Sequence, residues 1–313
     1  LARRQLVRQR PARCAGGGTQ PLPDTAIIYL VDNPVDLLIV AVAGLDPDDP
    51  PRDLEDFYAA IEQLQDAGIT PFVDGWQPHP KSVQYLSRAW TVNDYSTEEA
   101  KGVATGDSNF DDPEFVRVLE VFKEMRERGY YAEESQGMDY WNDARAAFRN
   151  GEGAIFFGLL SDIAHWKEFS DALGKDNVGF FPSVNIPGQE MRNRVAYQPA
   201  GLGWSVFNWS DHKEMAAEYA GFYAREGARL MLEDLGALVP NNSVDVSQVD
   251  YPVLEEITGY TNDNGVRTYA QFVPGTALNA QSMELASAWF SGAITFEEYI
   301  QQSQDALERA LEN

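Results

Sequence analysis

The stretch that most constrains the fold is residues 139–162, DYWNDARAAFRNGEGAIFFGLLSD. Asp139 can cap a short helix, and Trp141, Ala144 and Phe148 follow at helical spacing. Asn150-Gly151 ends that helix. Ala154-Ile155-Phe156-Phe157 then reads as a buried strand running straight into Gly158. The pattern predicts a helix, a tight turn, a strand, and a loop over 158–162 at the strand's carboxyl end. Open α/β sheets hold ligands at such loops.

Length and charge narrow the class. At 313 residues the chain has material for two lobes with separate cores, and 44% hydrophobic content is that of a globular protein. Residues 1–23 hold five arginines and no acid, Asp24 being the first carboxylate. Taking those five from 24 basic residues leaves 19 against 49 acids, a net of −30 over 24–313. A body this acidic repels phosphate backbones, which argues against nucleic acid as a partner. The basic residues are mostly arginine, with only 6 lysines. An acidic, lysine-poor surface suits a high-salt habitat or a GC-rich genome.

Several chemistries are disfavoured. One cysteine, Cys14, permits no internal disulfide. His79, His165 and His212 have no second ligand near them in sequence, so no metal site is expected. The chain has no G-x-S-x-G elbow, no H-E-x-x-H and no Walker lysine; Gly16-Gly17-Gly18-Thr19 lacks the lysine of a phosphate loop. A glycosidase needs two facing carboxylates, but among 49 acids such pairs arise by chance.

The chain opens on Leu1. Arg3-Arg4-Gln5-Leu6 looks like the start of a twin-arginine export signal, and Cys14 before Ala15-Gly16-Gly17-Gly18-Thr19 looks like a lipoprotein anchor cysteine with its tether. No apolar segment separates the two, and Arg13 stands where lipidation takes a small residue. A basic tail is the other reading. Residues 26–43 are apolar but broken by Asp32, Asn33, Pro34 and Asp36, so they supply strands flanking Pro34 rather than a membrane span.

Further along, Gly44-Leu45-Asp46-Pro47 precedes Asp53, a good N-cap. Leu54, Phe57, Tyr58, Ile61 and Leu64 then make a core-facing helical stripe, stopped by Gly68. Ile69-Thr70-Pro71-Phe72-Val73 reads as a short buried strand ending at Asp74-Gly75-Trp76. Asp112-Pro113 starts a helix marked by Phe115, Val118, Leu119 and Phe122 and ended by Gly129. Tyr197-Gln198-Pro199-Ala200-Gly201-Leu202-Gly203-Trp204 leads into a helix carrying Met215, Tyr219 and Phe222. Closing helices are expected over about 281–290 and 296–311, the second capped by Thr295 with Glu298.

The helix ending in F-x-x-G, the small-residue strand and the following G-x-x resemble the extracellular solute-binding proteins of ABC importers, specifically the carbohydrate-binding, maltose-binding-protein-like family. The G-L-D-P, helix, A-G-I-T-P-F strand and G-W loop are similar to the early second lobe of those proteins. The Gly201/Gly203 strand resembles their crossing back to the first lobe, and Leu238-Val239-Pro240 their entry to the closing helices. The resemblance implies an α/β, two-lobed, type II periplasmic-binding-protein-like fold that binds without catalysis. It covers roughly 44–313, with 44–190 and 245–313 as the second lobe and 191–244 as the return segment of the first. Residues 1–43 are left as an unmatched basic tail and apolar segment. The family's first lobe comes mostly from an N-terminal segment of on the order of one hundred residues, so an incomplete N-terminal lobe is expected here.

A sugar calls for a flat aromatic platform beneath its ring and for carboxylates, amides and backbone groups at its rim. The candidate ligand-binding residues are Trp76, Asp139, Tyr140, Gly158, Ser161, Asp162, Gln198, Gly201, Gly203 and Trp204. Trp76 and Trp204 read equally as core rings and Asp139 as a pure cap, whereas Tyr140 falls off the apolar stripe. Phe115, Phe122, Phe148, Phe222 and Phe296 lie on helical stripes and are expected to be structural. The implied function is extracytoplasmic capture of a mono- or oligosaccharide, in the periplasm or at a cell surface with a lipid anchor left open. Delivery would be to a membrane permease by a monomer without cofactor. The alternatives are a non-sugar solute such as a polyamine, a carbohydrate-processing enzyme, or a truncated fragment that binds nothing.

Overall fold

The computed structural model describes residues 27–28, 30–32, 51–80, 82–83, 109–159, 165–180, 184–189, 196–197, 205–235, 247, 250–264, 266–267 and 276–312. Its strands are β1 (Ile27–Ile28), β2 (Leu30–Asp32), β3 (Phe72–Val73), β4 (Ile155–Leu159), β5 (Val178–Gly179), β6 (Ala196–Tyr197) and β7 (Val266–Arg267). Its α-helices are α1 (Leu54–Asp66), α2 (Pro113–Glu127), α3 (Arg145–Arg149), α4 (His165–Leu173), α5 (Lys213–Phe222), α6 (Ala228–Leu235), α7 (Pro252–Asn264), α8 (Thr276–Phe290) and α9 (Phe296–Leu311). Every strand pair is parallel: β2-β4-β3 form one sheet, β1 pairs with β5, and β6 with β7. Parallel pairing demands crossovers covered by helices, so much helix surrounds little sheet.

Local chemistry explains the element ends. The Asp53 carboxylate accepts from the Glu55 and Asp56 N–H groups, both at 3.0 Å, and starts α1. Gly68 adopts φ 76° just past its end, a left-handed position that glycine takes without a Cβ penalty. At α9 the capping box is complete: Thr295 Oγ1 accepts from Glu298 N, and the Glu298 carboxylate accepts from Thr295 N at 2.7 Å. At α2 the Asp112 carboxylate turns back to accept from Asn109 N instead of capping the helix. The fixed φ of Pro113 at the first helical position supports the start of α2.

These helices bury their stripes in one core. Phe57, Ile61 and Leu64 of α1, Val118, Leu119 and Phe122 of α2, Phe72 of β3, Phe148 of α3 and Ile155 and Phe156 of β4 are fully buried. The Trp289 ring stacks on Tyr299 with centroids 4.9 Å apart, joining α8 to α9. Each such side chain stabilises the fold by about 1.5–3 kcal/mol. At the core's edge Tyr58 donates to Glu124 and Tyr130 donates to Glu62, each at 3.0 Å. The Arg128 guanidinium lies over the Tyr58 ring at 4.6 Å and ties α1 to α2.

Three expectations are corrected here. β4 runs to Leu159, with Gly158 opposite Val31, so Gly158 is a strand residue and not part of the following loop. Ladder bonds to β2 carry the strand past its apolar run. α8 starts at Thr276, about five residues before the apolar pattern suggests. The stripe of Met215, Tyr219 and Phe222 forms on α5 but is exposed, so Phe222 is not a core residue.

Candidate functional site

Because β2, β4 and β3 are parallel, their carboxyl ends share one edge of the sheet. The register sets Val73 against Phe156 and Asp32 against Leu159. β3 therefore leaves the sheet at Asp74 while β4 continues beside β2. α3 precedes β4 across the Asn150-Gly151 turn, so its amino end returns to this same edge.

The loop after β3 and the turn before α3 are joined backbone to backbone. Trp76 N donates to Ser135 O and Gln77 N to Met138 O, both at 3.0 Å. Gln77 pairs with Asp139 as an isolated parallel bridge, and its side-chain amide donates to Gln136 O at 2.8 Å. Gly75 makes the approach possible: a Cβ there would lie 2.3 Å from the Tyr140 nitrogen. Below this joint the buried Asp74 carboxylate accepts from Ser82 Oγ at 2.6 Å. Tyr131 lies beside it, its hydroxyl pushed well above the usual tyrosine range first by burial and then by the Asp74 charge.

Sequence reading and structure diverge at the start of α3. Residues Tyr140–Ala144 form a π turn, with Ala144 N donating to Asp139 O at 3.0 Å. The wider turn rotates the preceding residues by most of one position. Tyr140 swings inward, 1% exposed, and stacks on Phe156 at 5.2 Å; Trp141 swings outward, 38% exposed, edge-on to Tyr140 at 4.9 Å. The expected roles are thus exchanged: Tyr140 packs the core, and Trp141 offers a ring to solvent.

The remaining candidates sort plainly. Asp139 caps the turn, accepting from Asn142 N at 2.9 Å and from the Asn142 amide at 2.7 Å. Trp76 is half-buried, set edge-on to Phe290 at 5.0 Å and to Tyr131 at 5.6 Å, so its ring works as a wedge between α8 and the β3 loop. The structure brings Trp76, Asp139 and Tyr140 into this one joint, with Gly158 on the adjoining strand. Ser161, Asp162, Gln198, Gly201, Gly203, Trp204 and Cys14 lie outside the described residues. Sequence reasoning passed over Gln77 and Asp74, whose roles depend on partners distant in the chain. Among the described residues no cluster of His, Cys, Asp or Glu could hold a metal ion, and no helix is long and apolar enough to cross a membrane.

A helix-covered parallel sheet with loops gathered at its carboxyl edge is the setting for small-molecule capture. Residues 32–251 match the family of bacterial extracellular solute-binding proteins. The chain belongs to that family. Its members bind solutes and are not enzymes, and their place is outside the cytoplasm. The match begins at Asp32, inside the segment that sequence reading leaves unmatched. No curated protein sequence matches the chain.

Solved structures of two-lobed solute-binding proteins superpose on the chain. A chitin oligosaccharide binding protein superposes with a TM-score of 0.72 at 21% identity, covering 87% of this chain and 67% of that one. A sugar transporter protein from Bacillus licheniformis in complex with stachyose gives 0.62 at 13% identity, over 91% and 72%. A probable secreted solute-binding lipoprotein from Streptomyces coelicolor gives 0.62 at 18% identity, over 87% and 66%. The chain thus spans about two thirds of the length of these proteins.

Proposed function

We propose that this solute-binding protein captures a carbohydrate outside the cytoplasm and delivers it to an ABC-type import permease. The observation that carries the reading is the Trp141 indole, exposed at the carboxyl edge of the parallel sheet and braced by the Tyr140 ring beneath it. An amphipathic ring so held can stack on the C–H face of a sugar. The sugars named for the structural neighbours, a chitin oligosaccharide and stachyose, support the same class.

In this reading Trp141 is the platform, Trp76 and Gln77 hold the loop beside it, and Asp139 presets the turn. Ser161, Asp162 and Gln198 supply hydroxyl partners, while Gly201 and Gly203 let backbone approach the ligand beside Trp204. Closing the lobes about their hinge buries the sugar, and the permease reads the closed shape.

Calorimetric titration with chito-oligosaccharides, maltose, raffinose, stachyose and spermidine tests the proposal. One sugar is expected to bind and to stabilise the fold by about 2.7 kcal/mol at a hundred times its Kd. Trp141→Ala should weaken that binding by about tenfold or more, roughly 1.4 kcal/mol, with the melting temperature of the free protein little changed. Binding of spermidine alone, turnover of a chromogenic glycoside, or wild-type affinity in Trp141→Ala would overturn it.

A further inference from the structure

The helix ends of this chain are charged unevenly. Acids occupy the first turns of α1, α2, α4, α5, α7 and α9, where the positive end of the helix dipole favours them. The opposite ends lack the matching bases: the last turns of α1, α4, α5, α6, α7 and α8 hold none. Four of those last turns hold an aspartate, Asp66 in α1, Asp171 in α4, Asp234 in α6 and Asp263 in α7. Lys167 answers Asp171 from one turn back. Asp66 and Asp234 are exposed and make no ion pair among the described residues. Nearby guanidinium groups are engaged elsewhere: Arg128 bridges Glu62 and Glu124, and Arg229 bridges Glu226 and Glu233.

The balance over the whole chain points the same way, with a net charge of −25. Folding gathers that charge from a coil with a radius of gyration of about 60 Å into a body of about 20 Å. Self-repulsion therefore rises on folding, and dissolved salt lowers it. The screening length falls from about 30 Å at 0.01 M ionic strength to about 3 Å at 1 M. At the dilute end it exceeds the folded radius, so every carboxylate feels the rest of the body. At the concentrated end each feels only the groups it touches.

We infer that ionic strength sets the stability of this fold, acting through the aspartates that close α1, α6 and α7 on a strongly acidic body. An exposed charge at a helix end is among the interactions that salt screens most readily. Members of the family work outside the cytoplasm, where the ionic strength is that of the medium. The folded fraction then follows the salt content of the surroundings. The inference does not depend on which solute is bound.

Thermal unfolding of the 313-residue chain without ligand, followed by circular dichroism, provides the test. Between about 0.01 M and 1 M NaCl the melting temperature should rise by about 5 °C or more, most of it below about 0.3 M. Sodium sulfate at equal ionic strength should give the same rise over that lower range, and sucrose of equal osmolality should give little. Asp66→Asn, Asp234→Asn and Asp263→Asn combined should raise the melting temperature at low salt by about 3–6 °C and shrink the salt increment to match. Glu55→Gln, Glu214→Gln and Glu255→Gln combined remove the same net charge from helix amino ends and should bring no gain. A melting temperature indifferent to salt, a rise seen only with sulfate or matched by sucrose, or equal gains from the two triple variants would each overturn the inference.

Discussion

α9 and α5 carry the same kind of signal and meet opposite fates. Along α9, Phe296, Tyr299, Ala306 and Leu307 recur at helical spacing and are all buried. Along α5, Met215, Tyr219 and Phe222 recur at the same spacing and lie in solvent. α9 has α8 to receive its rings, with Trp289 stacked on Tyr299. No described element covers α5. Periodicity identifies a face that requires burial, and the burial itself comes from whatever lies opposite.

The sharpest way to break this contrast is to remove a ring on each side of it. Trp289→Ala empties a fully buried site between α8 and α9 and should cost about 3–5 kcal/mol in urea denaturation. A loss as small as that of a surface substitution would mean that the α8–α9 contact is no better covered than α5. Alkali offers a second probe. Tyr131 is buried, so folding raises its pKa above the unfolded value of 10.0. The stability it contributes is complete below pH 10 and is lost as pH rises toward the folded value. Phenolate absorbance should therefore show a late fraction that appears together with unfolding.

A backbone contact sets the third probe. Gly75→Ala places a methyl group against the Tyr140 backbone and should destabilise by about 1–3 kcal/mol, measured by thermal melting. An unchanged melting temperature would mean that the joint between the β3 loop and the α3 turn is looser than described. The smallest effect belongs to α5. Phe222→Ala in the chain alone should change stability by no more than about 0.5 kcal/mol, because its ring is over half exposed. A loss comparable to that of Trp289→Ala would show α5 to be packed in solution.

How much of this was legible in the sequence follows from the range of each interaction. Caps and stops act within a few residues, and Asp53, Gly68, Gly129, Thr295 and Glu298 read correctly. The stripes of α1 and α2 were legible for the same reason. The exchange of Tyr140 and Trp141 was not, because a π turn changes the period for one turn only and leaves no compositional mark. The extension of β4 through Gly158 was hidden because glycine is silent in an apolar pattern and only the ladder to Val31 reveals its role. Asp74 looks like any loop carboxylate until Ser82 and Tyr131 fold around it. Within the candidate site, then, the location was readable and the orientation of the rings was not.

The bridge between Gln77 and Asp139 couples two segments that are far apart along the chain. With the Gly75 contact beneath it, neither can shift without dragging the other. A molecule resting on the Trp141 indole would therefore stiffen a span of backbone it never touches. Amide protons of Trp76 and Gln77 would slow their exchange in step with that of Tyr140, and the loop would report occupancy at a distance.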